Sequence, residues 1–364
     1  MYYEGRFKKN SLKKKREYVM IVTSKQMNVK RRISMKQFSG FIVNEQDERF
    51  QADIKETTLD ELSTGDVTIR VAYSSVNYKD SLAAKQNGGV IRQYPMIPGI
   101  DLSGTVLTST DARFKEGQDV LVTGYGLGVT HTGGFAQLAR VPGDWVVPLP
   151  NGLSLKDAMI FGTAGFTAAL SVQALEEHGL SQNKDATILV TGATGGVGSL
   201  AIAMLKQLGY QNILALSRKK ESEQALKKIG ASQVLLVDDF LPEKIKPLAK
   251  QTVDFVVDTV GGDITAALLA QLRYGGSLAI CGNAAGIKLN TTVLPFILRG
   301  INILGIDSVN VPMDPRLAMW KRLATDLNVS HHELVNEISL AQLPDTLAQL
   351  QAGTHIGRTI IKMN

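Results

Sequence analysis

Polar and apolar residues alternate through the first part of the chain. The segment GDVTIRVAYSSV, residues 65–76, has the period of two that a half-buried strand requires. Shorter strand-like segments such as GTVLTS and GQDVLVTG follow it, with glycine or proline between them. Many short strands with dense turns predict a small barrel-like β domain, which we place at residues 35–160.

The pattern changes near residue 160. The segment DAMIFGTAGFTAALSVQALEEHG, residues 157–179, has helical spacing and ends at a glycine. Beyond it, runs rich in Val, Ile and Leu such as ATILVTG and VDFVVDTVG alternate with helical segments such as GVGSLAIAMLKQLG. This alternation predicts an α/β domain with a doubly wound parallel sheet at residues 161–307. Residues 308–364 add two helices and a last strand, GRTIIKM.

Composition is consistent with an ordinary globular protein of about two domains. The chain has 364 residues, of which 44% are hydrophobic and 20% are charged. Because no run of 18 or more apolar residues appears, we expect no membrane span. The single cysteine, Cys281, excludes an internal disulfide and the usual cysteine-based zinc sites. A reducing compartment, the cytoplasm, is the expected location.

The net charge of +6 is unevenly distributed. Residues 1–34 hold eleven Lys/Arg and two acidic residues, whereas the rest of the chain holds 29 Lys/Arg and 32 Asp/Glu. A basic tail can bind nucleic acid or an anionic membrane. Because Met35 opens a strand-like sequence, we interpret residues 1–34 as a disordered extension and expect neither kind of partner.

A glycine-rich segment, VTGATGGVGS at residues 190–199, joins a strand to a helix. No Gly-Lys pair follows, so it lacks the lysine of a P-loop. It fits the dinucleotide pattern G-x-G-x-x-G with Ala193 in the first position and Gly195 and Gly198 in the others. We expect the pyrophosphate of a dinucleotide to bind the loop's amide groups at the helix N-terminus. These amides belong to Thr194, Gly195, Gly196 and Val197.

The end of the next strand selects the cofactor. An NAD site has an acidic residue there, which binds the ribose hydroxyls. This chain has Ser217, Arg218 and Lys219, and a hydroxyl with two cations suits a 2′-phosphate. We therefore predict NADPH. Short-chain reductases are excluded because Tyr210 and Tyr274 have leucine, not lysine, four residues later.

Seven sequence blocks resemble the medium-chain dehydrogenases/reductases, and they are distributed over residues 35–364. They are VNYKD, PMIPGIDLSGTV, GGFAQLARVPGDW, MIFGTAGFTA, VTGATGGVG, YGGSLAICG and TTVLPFILRGINILGIDSV. Within that superfamily they are similar to the zinc-independent group of acryloyl-CoA reductases and quinone oxidoreductases. The resemblance implies a GroES-like β-barrel catalytic domain, a Rossmann NADPH-binding domain and a closing segment, residues 308–364, that returns to the catalytic domain. We also expect a homodimer.

Zinc-using relatives have a cysteine where this chain has Asn77, and a His-Glu pair where it has Ile100 and Asp101. The five histidines form no ligand cluster with Cys281 in the sequence, so we expect no metal. Conjugate reduction needs none, because the carbonyl already activates the neighbouring double bond. Such a site needs hydrogen-bond donors for the enolate oxygen and a source of a proton.

The resemblance also implies roles for individual residues. Tyr78 lies against the nicotinamide and is the first candidate for proton supply, Asn77 is a candidate donor to the enolate, and Asp80 supports their loop. Three more residues are expected near the cofactor: Asn283, Ile297 and Ser308. Two cations are available for a CoA substrate: Arg92 and Arg299. Cys281 ends an apolar strand and is expected to be a core residue.

Three functions remain open at this point. The first is NADPH-dependent reduction of the C=C bond of a short α,β-unsaturated acyl-CoA such as acryloyl-CoA. The second is NADPH:quinone oxidoreduction on the same scaffold. The third is a non-catalytic NADPH sensor whose basic tail contacts nucleic acid. Because distant loops assemble the substrate pocket, the sequence does not separate the first two.

Overall fold

The computed structural model describes residues 37–47 and 49–363, so the expectation for residues 1–34 lies outside the described residues. The first part of the chain is rich in strands, as the alternating pattern predicts. Its elements are β1 (Phe38–Gln46), β2 (Arg49–Thr57), β3 (Val67–Val76), α1 (Tyr78–Ala83), β4 (Asp101–Ser109), β5 (Asp119–Thr123), β6 (Leu138–Val141) and β7 (Val147–Pro148). A long helix, α2 (Leu155–Glu177), follows them.

The middle of the chain alternates strands and helices. Its elements are β8 (Ile188–Val190), α3 (Gly196–Gln207), β9 (Ile213–Ser217), α4 (Glu223–Lys228), β10 (Gln233–Leu236), α5 (Val237–Phe240), β11 (Val253–Asp258), α6 (Gly262–Leu269), β12 (Leu272–Ile280), α7 (Leu294–Arg299) and β13 (Asn302–Gly305). The strands form one parallel sheet in the order β10-β9-β8-β11-β12-β13. This is the strand order of a dinucleotide-binding Rossmann sheet, and it confirms the predicted doubly wound domain.

The closing segment returns to the first lobe. Its elements are α8 (Met313–Leu323), β14 (Val335–Ser339), α9 (Leu343–Gln351) and β15 (Arg358–Lys362). Strand β15 pairs antiparallel with β3, and β14 lies beside it in parallel. The resulting seven-stranded sheet has the order β14-β15-β3-β4-β5-β7, with β6 paired to β3, while β1 and β2 form a separate hairpin.

Helix α2 joins the two lobes and is mostly buried. By length and composition alone it could cross a membrane, but 78% of that apolar stretch is buried inside the protein. Its apolar residues belong to the same core cluster as strands of the parallel sheet, including Ile188 and Val190. The apolarity of this helix is thus accounted for by packing between the lobes.

The sequence pattern predicts one continuous helix here, and the structure differs at one residue. Gly162 has φ 49° and ψ −154°, which interrupts α2. A Cβ at this position would lie 2.4 Å from Ser75 Oγ and 2.5 Å from Asp101 Oδ2. Both the positive φ and this close approach require glycine. The break is not apparent in the sequence, because the apolar residues keep helical spacing on both sides of it.

Opposite charges lie at the two helix ends that the break creates. The guanidinium of Arg358 donates to the carbonyls of Ile160 (3.0 Å) and Met159 (3.4 Å), which end the first segment. The carboxylate of Asp101 accepts from the backbone N–H of Thr163 (2.9 Å), which begins the second. A cation at a helix C-terminus and an anion at an N-terminus are both favourable placements, so the break is stabilised on both sides.

We predict that Gly162→Ala lowers the free energy of unfolding by more than about 3 kcal/mol, because it combines backbone strain with displacement of a buried, hydrogen-bonded carboxylate. Gly209→Ala is the matched control, since Gly209 also has a positive φ (91°) but no atom lies within 4 Å of an added Cβ. That control should cost only about 1 kcal/mol. Urea unfolding of both variants measures the difference, and equal losses would contradict the account of the break.

Candidate functional site

A cavity of about 520 Å³ lies between the two lobes. It opens at the carboxyl ends of the parallel strands, where ligands bind in open α/β sheets. The loop after β8 lines it on one side, and Asn77 and Tyr78 line it on the other. Of the predicted site residues, ten line this cavity: Asn77, Tyr78, Thr194, Gly195, Gly196, Val197, Ser217, Arg218, Lys219 and Ser308.

The glycine-rich loop provides an anion-binding helix end. Gly198 lies against the turn so closely that a Cβ would be 2.4 Å from the carbonyl oxygen of Gly192. Helix α3 therefore begins close to the end of β8, and Gly196 and Val197 occupy its first turn, where N–H groups have no acceptor within the helix. One expectation is corrected here. The amide of Gly195 does not face the cavity as a free donor, because it donates to Gly192 O (2.8 Å) and closes the turn.

The three residues after β9 differ in what they can bind. The Ser217 hydroxyl accepts from the Lys219 amide (2.9 Å), which closes a tight turn. The Lys219 ammonium donates to the carbonyl oxygen of His355 (2.8 Å), and its pKa is lowered, first by burial and then by the neighbouring Arg218. Arg218 is exposed at the cavity wall. Of the two cations, Arg218 is the one whose charge faces solvent.

The opposite end of the cavity carries Tyr78, Asn77 and Ser308. Tyr78 begins α1 and is 48% exposed, so its side chain is accessible from the cavity. Ser308 lies in the loop after β13, where its hydroxyl accepts from Thr167 Oγ1 (2.7 Å). Helix α2 and the loop after β13 are therefore tied together at this end.

Hydrogen bonds on both sides fix the Asn77 side-chain amide. Its Nδ2 donates to Asp101 Oδ2 (2.7 Å) and to Ser75 O (3.4 Å), while its Oδ1 accepts from Arg358 Nη1 (3.2 Å). A carboxylate can only accept and a guanidinium can only donate, so the orientation of the amide is determined. Both N–H groups are therefore committed, which corrects the expectation that Asn77 donates to an enolate.

The carboxylate of Asp80 is fully buried below the same loop. It accepts from the backbone amides of Asn77 (2.8 Å) and Ile100 (3.1 Å), which joins the start of α1 to the segment before β4. Burial, followed by the nearby negative charge of Asp101, raises the pKa of Asp80 to about 7. These contacts are those of a residue that supports the loop.

Four predicted site residues do not line the cavity. Asn283 and Arg92 are exposed, and Ile297 is 68% exposed on α7. Arg299 donates to the carbonyls of Ala249 (2.7 Å), Ala270 (2.7 Å) and Leu272 (3.3 Å). Because these carbonyls occupy its guanidinium, the structure does not bring Arg299 to a CoA substrate.

Sequence reasoning missed Arg358, which is 2% exposed and lines the cavity. It lies against the start of α3, where a Cβ on Gly196 would be 3.0 Å from its Cδ. The arginine that opens the apolar strand in GRTIIKM is the signal that could have indicated it. Cys281 also lines the cavity, but burial raises the pKa of its thiol to about 12, which disfavours a reactive thiolate.

Two family descriptions match the chain. "Alcohol dehydrogenase GroES-like domain" matches residues 63–151, and "Zinc-binding dehydrogenase" matches residues 196–325. The chain belongs to the medium-chain dehydrogenase/reductase superfamily, in the branch of the acryloyl-CoA reductase and quinone oxidoreductase relatives. The first lobe is thus the GroES-like domain of this superfamily, and the second is its Rossmann-like domain.

Three relatives are similar over nearly their whole length. The Acrylyl-CoA reductase AcuI of Ruegeria pomeroyi is 44% identical over 90% of this chain and 99% of its own. The protein named "Putative quinone oxidoreductase YhfP" of Bacillus subtilis is 47% identical over 85% of this chain and 94% of its own. A crystal structure of Escherichia coli K-12 YhdH with bound NADPH is 47% identical, with a TM-score of 0.85, and covers 89% of this chain and 100% of that one.

A solved structure of the Bacillus subtilis protein holds NAD. It is 46% identical, has a TM-score of 0.86, and covers 90% of this chain and 99% of that one. The described fold is therefore shared with solved structures that contain NADPH or NADP and with one that contains NAD.

The residues of this chain do not fit the zinc ion named in one family description. In residues 37–47 and 49–363 no group of three or more His, Cys, Asp or Glu is placed to hold a metal ion. The positions where the sequence resemblance implies zinc ligands in zinc-using relatives carry Asn77, Ile100 and Asp101 in this chain. The Asp101 carboxylate is already saturated by hydrogen bonds from Ser75, Asn77 and Thr163.

Proposed function

We propose that this protein is a cytoplasmic NADPH-dependent reductase of the C=C bond of a short α,β-unsaturated acyl-CoA of the acryloyl-CoA type. The main support is one cavity that joins a dinucleotide loop to a wall that carries Tyr78 and the oriented amide of Asn77. The acryloyl-CoA activity of the Ruegeria pomeroyi relative, at 44% identity over its whole length, supports the substrate class. The single cysteine supports a reducing compartment.

In this proposal the two lobes have different roles. Residues 161–307 bind NADPH, while residues 35–160 and 308–364 form the catalytic domain. The first turn of α3 binds the pyrophosphate, because its N–H groups and helix dipole favour an anion. Arg218 binds the 2′-phosphate, with Ser217 and Lys219 shaping the turn around it.

NADPH supplies a hydride from nicotinamide C4 when it is bound. The chain's own groups must then accommodate the negative charge that develops on the thioester oxygen and deliver a proton to the α-carbon. We assign both tasks to Tyr78, because its side chain is 48% exposed and lines the cavity while the Asn77 amide is committed. Because the carbonyl itself activates the neighbouring double bond, this proposal includes no metal.

Quinone reduction is the second candidate, and one observation favours it. Neither Arg92 nor Arg299, the cations expected to bind CoA, lines the cavity. Lys79 does line it, and so does Arg358, but carbonyls of the chain occupy the Arg358 guanidinium. The name of the Bacillus subtilis relative also supports quinone chemistry.

Oxidation of NADPH with acryloyl-CoA, crotonyl-CoA, a free enone and a simple quinone tests the proposal. We expect acryloyl-CoA to have the highest kcat/KM, because the CoA group supplies binding energy remote from the double bond. Tyr78→Phe should lower kcat by about tenfold or more with little change in the KM for NADPH. A quinone with the higher kcat/KM would replace the acyl-CoA proposal with the second candidate.

Cofactor preference gives a prediction that separates Arg218 from Lys219. Arg218→Ala should raise the KM for NADPH roughly tenfold and leave that for NADH nearly unchanged, because only the 2′-phosphate loses a charge-assisted hydrogen bond. Lys219→Ala is the matched control and should change both KM values together, since its ammonium binds the His355 carbonyl. Wild-type protein that uses both cofactors equally well would contradict the assignment.

A homodimer is part of the proposal. The segment before α7 and α7 itself expose Ile287 (85%), Val293 (66%), Ile297 (68%) and Leu298 (57%). Next to them in the chain, β13 is an edge strand, paired within the described residues only to β12. A two-fold axis would place the same apolar surface and the same strand edge of two copies against each other.

We predict that Ile297→Asp converts the dimer to a monomer, because two buried charges would face each other across the axis. Ile54→Asp is the control, since Ile54 is an exposed isoleucine (38%) on β2 in the other lobe. Sedimentation velocity measures both variants. A dimer that survives Ile297→Asp, or a monomeric wild type, would refute this part of the proposal.

A further inference from the structure

The carboxylate of Asp101 is fully buried and accepts hydrogen bonds from three residues. Ser75 Oγ (2.6 Å), Asn77 Nδ2 (2.7 Å) and the backbone N–H of Thr163 (2.9 Å) donate to Oδ2. The Thr163 hydroxyl donates to Oδ1. Asp101 itself does not line the cavity, whereas Asn77 and Thr163 do.

These bonds decide which hydrogen-bonding groups remain for a ligand. A threonine hydroxyl has one proton and two lone pairs, and the proton of Thr163 is given to Asp101. Thr163 Oγ1 can therefore only accept from a ligand. Since both N–H groups of the Asn77 amide are committed as well, this wall of the cavity offers acceptors and no side-chain donors from these two residues.

The position of this wall indicates which part of a dinucleotide meets it. In the proposed binding mode, Arg218 binds the 2′-phosphate of the adenosine and the start of α3 binds the pyrophosphate. This part of the dinucleotide then lies along the carboxyl ends of β8 and β9. Thr163 and Tyr78 lie on the catalytic side of the same cavity, which leaves the nicotinamide for them. The carboxamide of nicotinamide carries two N–H donors and needs an acceptor.

We propose that Thr163 Oγ1 accepts a hydrogen bond from the carboxamide N–H of the nicotinamide, and that Asp101 is the positioning residue that imposes this polarity. This inference rests on the proposed use of NADPH. Thr163 is the first residue after the break in α2, so its position is fixed by Gly162 and by its own amide bond to Asp101. An enolate oxygen, which is an acceptor, would be repelled from this wall, and this leaves Tyr78 as its donor.

Binding of NADP⁺ and of its 3-acetylpyridine analogue tests the proposal, because a methyl ketone replaces the carboxamide and removes the N–H donors. Isothermal titration should give wild-type protein a Kd for NADP⁺ about two- to tenfold lower than for the analogue. Thr163→Val keeps the shape but removes the acceptor, so the ratio of the two Kd values should fall to about one. Thr163→Ser keeps the hydroxyl and should keep the ratio.

Asp101→Asn tests the positioning role. Its amide can donate to Thr163 Oγ1, which frees the hydroxyl proton, so the preference for NADP⁺ over the analogue should be lost even where the variant remains folded. A role confined to stability would lower the melting temperature and leave the ratio unchanged. A wild-type ratio of one, or a ratio retained in Thr163→Val, would overturn the proposal without bearing on acyl-CoA reduction. A chain that binds neither nucleotide would overturn it together with the proposed function.

Discussion

The hydrogen bonds among Asp101, Asn77 and Arg358 are the interaction on which the rest of the site depends. Asp101 and Arg358 bind opposite ends of the broken helix α2, and the Asn77 amide connects the two charges. Strand β4 supplies Asp101 and strand β15 supplies Arg358. Two strands of the first lobe are therefore hydrogen-bonded to the helix that leads into the second. This contact joins the first lobe to helix α2, whose apolar side chains pack in the same core as the strands of the second lobe.

Burial makes the same contact costly to disturb. Both side chains are nearly inaccessible, and burial lowers the pKa of Arg358 while the negative charges of Asp101 and Asp80 oppose that shift. Removing either side chain would leave buried hydrogen-bonding groups of its partners unsatisfied, which costs about 1–3 kcal/mol for each group. Asp80 is a second buried carboxylate, and burial followed by the nearby Asp101 raises its pKa to about 7. The backbone amides of Asn77 and Ile100 hold it in place.

The sequence predicted the parts of this protein that depend on local pattern. Runs of Val, Ile and Leu identified the strands of the parallel sheet, and the spacing of Gly195 and Gly198 identified the turn before α3. The break at Gly162 was not predicted, because apolar residues keep helical spacing on both sides of it. For Arg299 the sequence left a CoA-binding role and a structural role open, because no local pattern shows that three distant carbonyls converge on its guanidinium. Arg358 was missed for the same reason, since its partners lie 198 to 282 residues away.

The place of Arg358 in the chain also sets the order in which the protein can be completed. The strand that carries it, β15, pairs with β3, whose Val76 lies 282 residues before Arg358 in the chain. Contacts between such distant segments form late, because the intervening chain must first be confined. All strands of the parallel sheet lie between β3 and β15 in the chain, so this sheet does not need the contact between β15 and β3 to pair its own strands. A chain cut before β15 would keep every strand of that sheet but lose Arg358, and with it the bonds that hold the first segment of the broken helix α2.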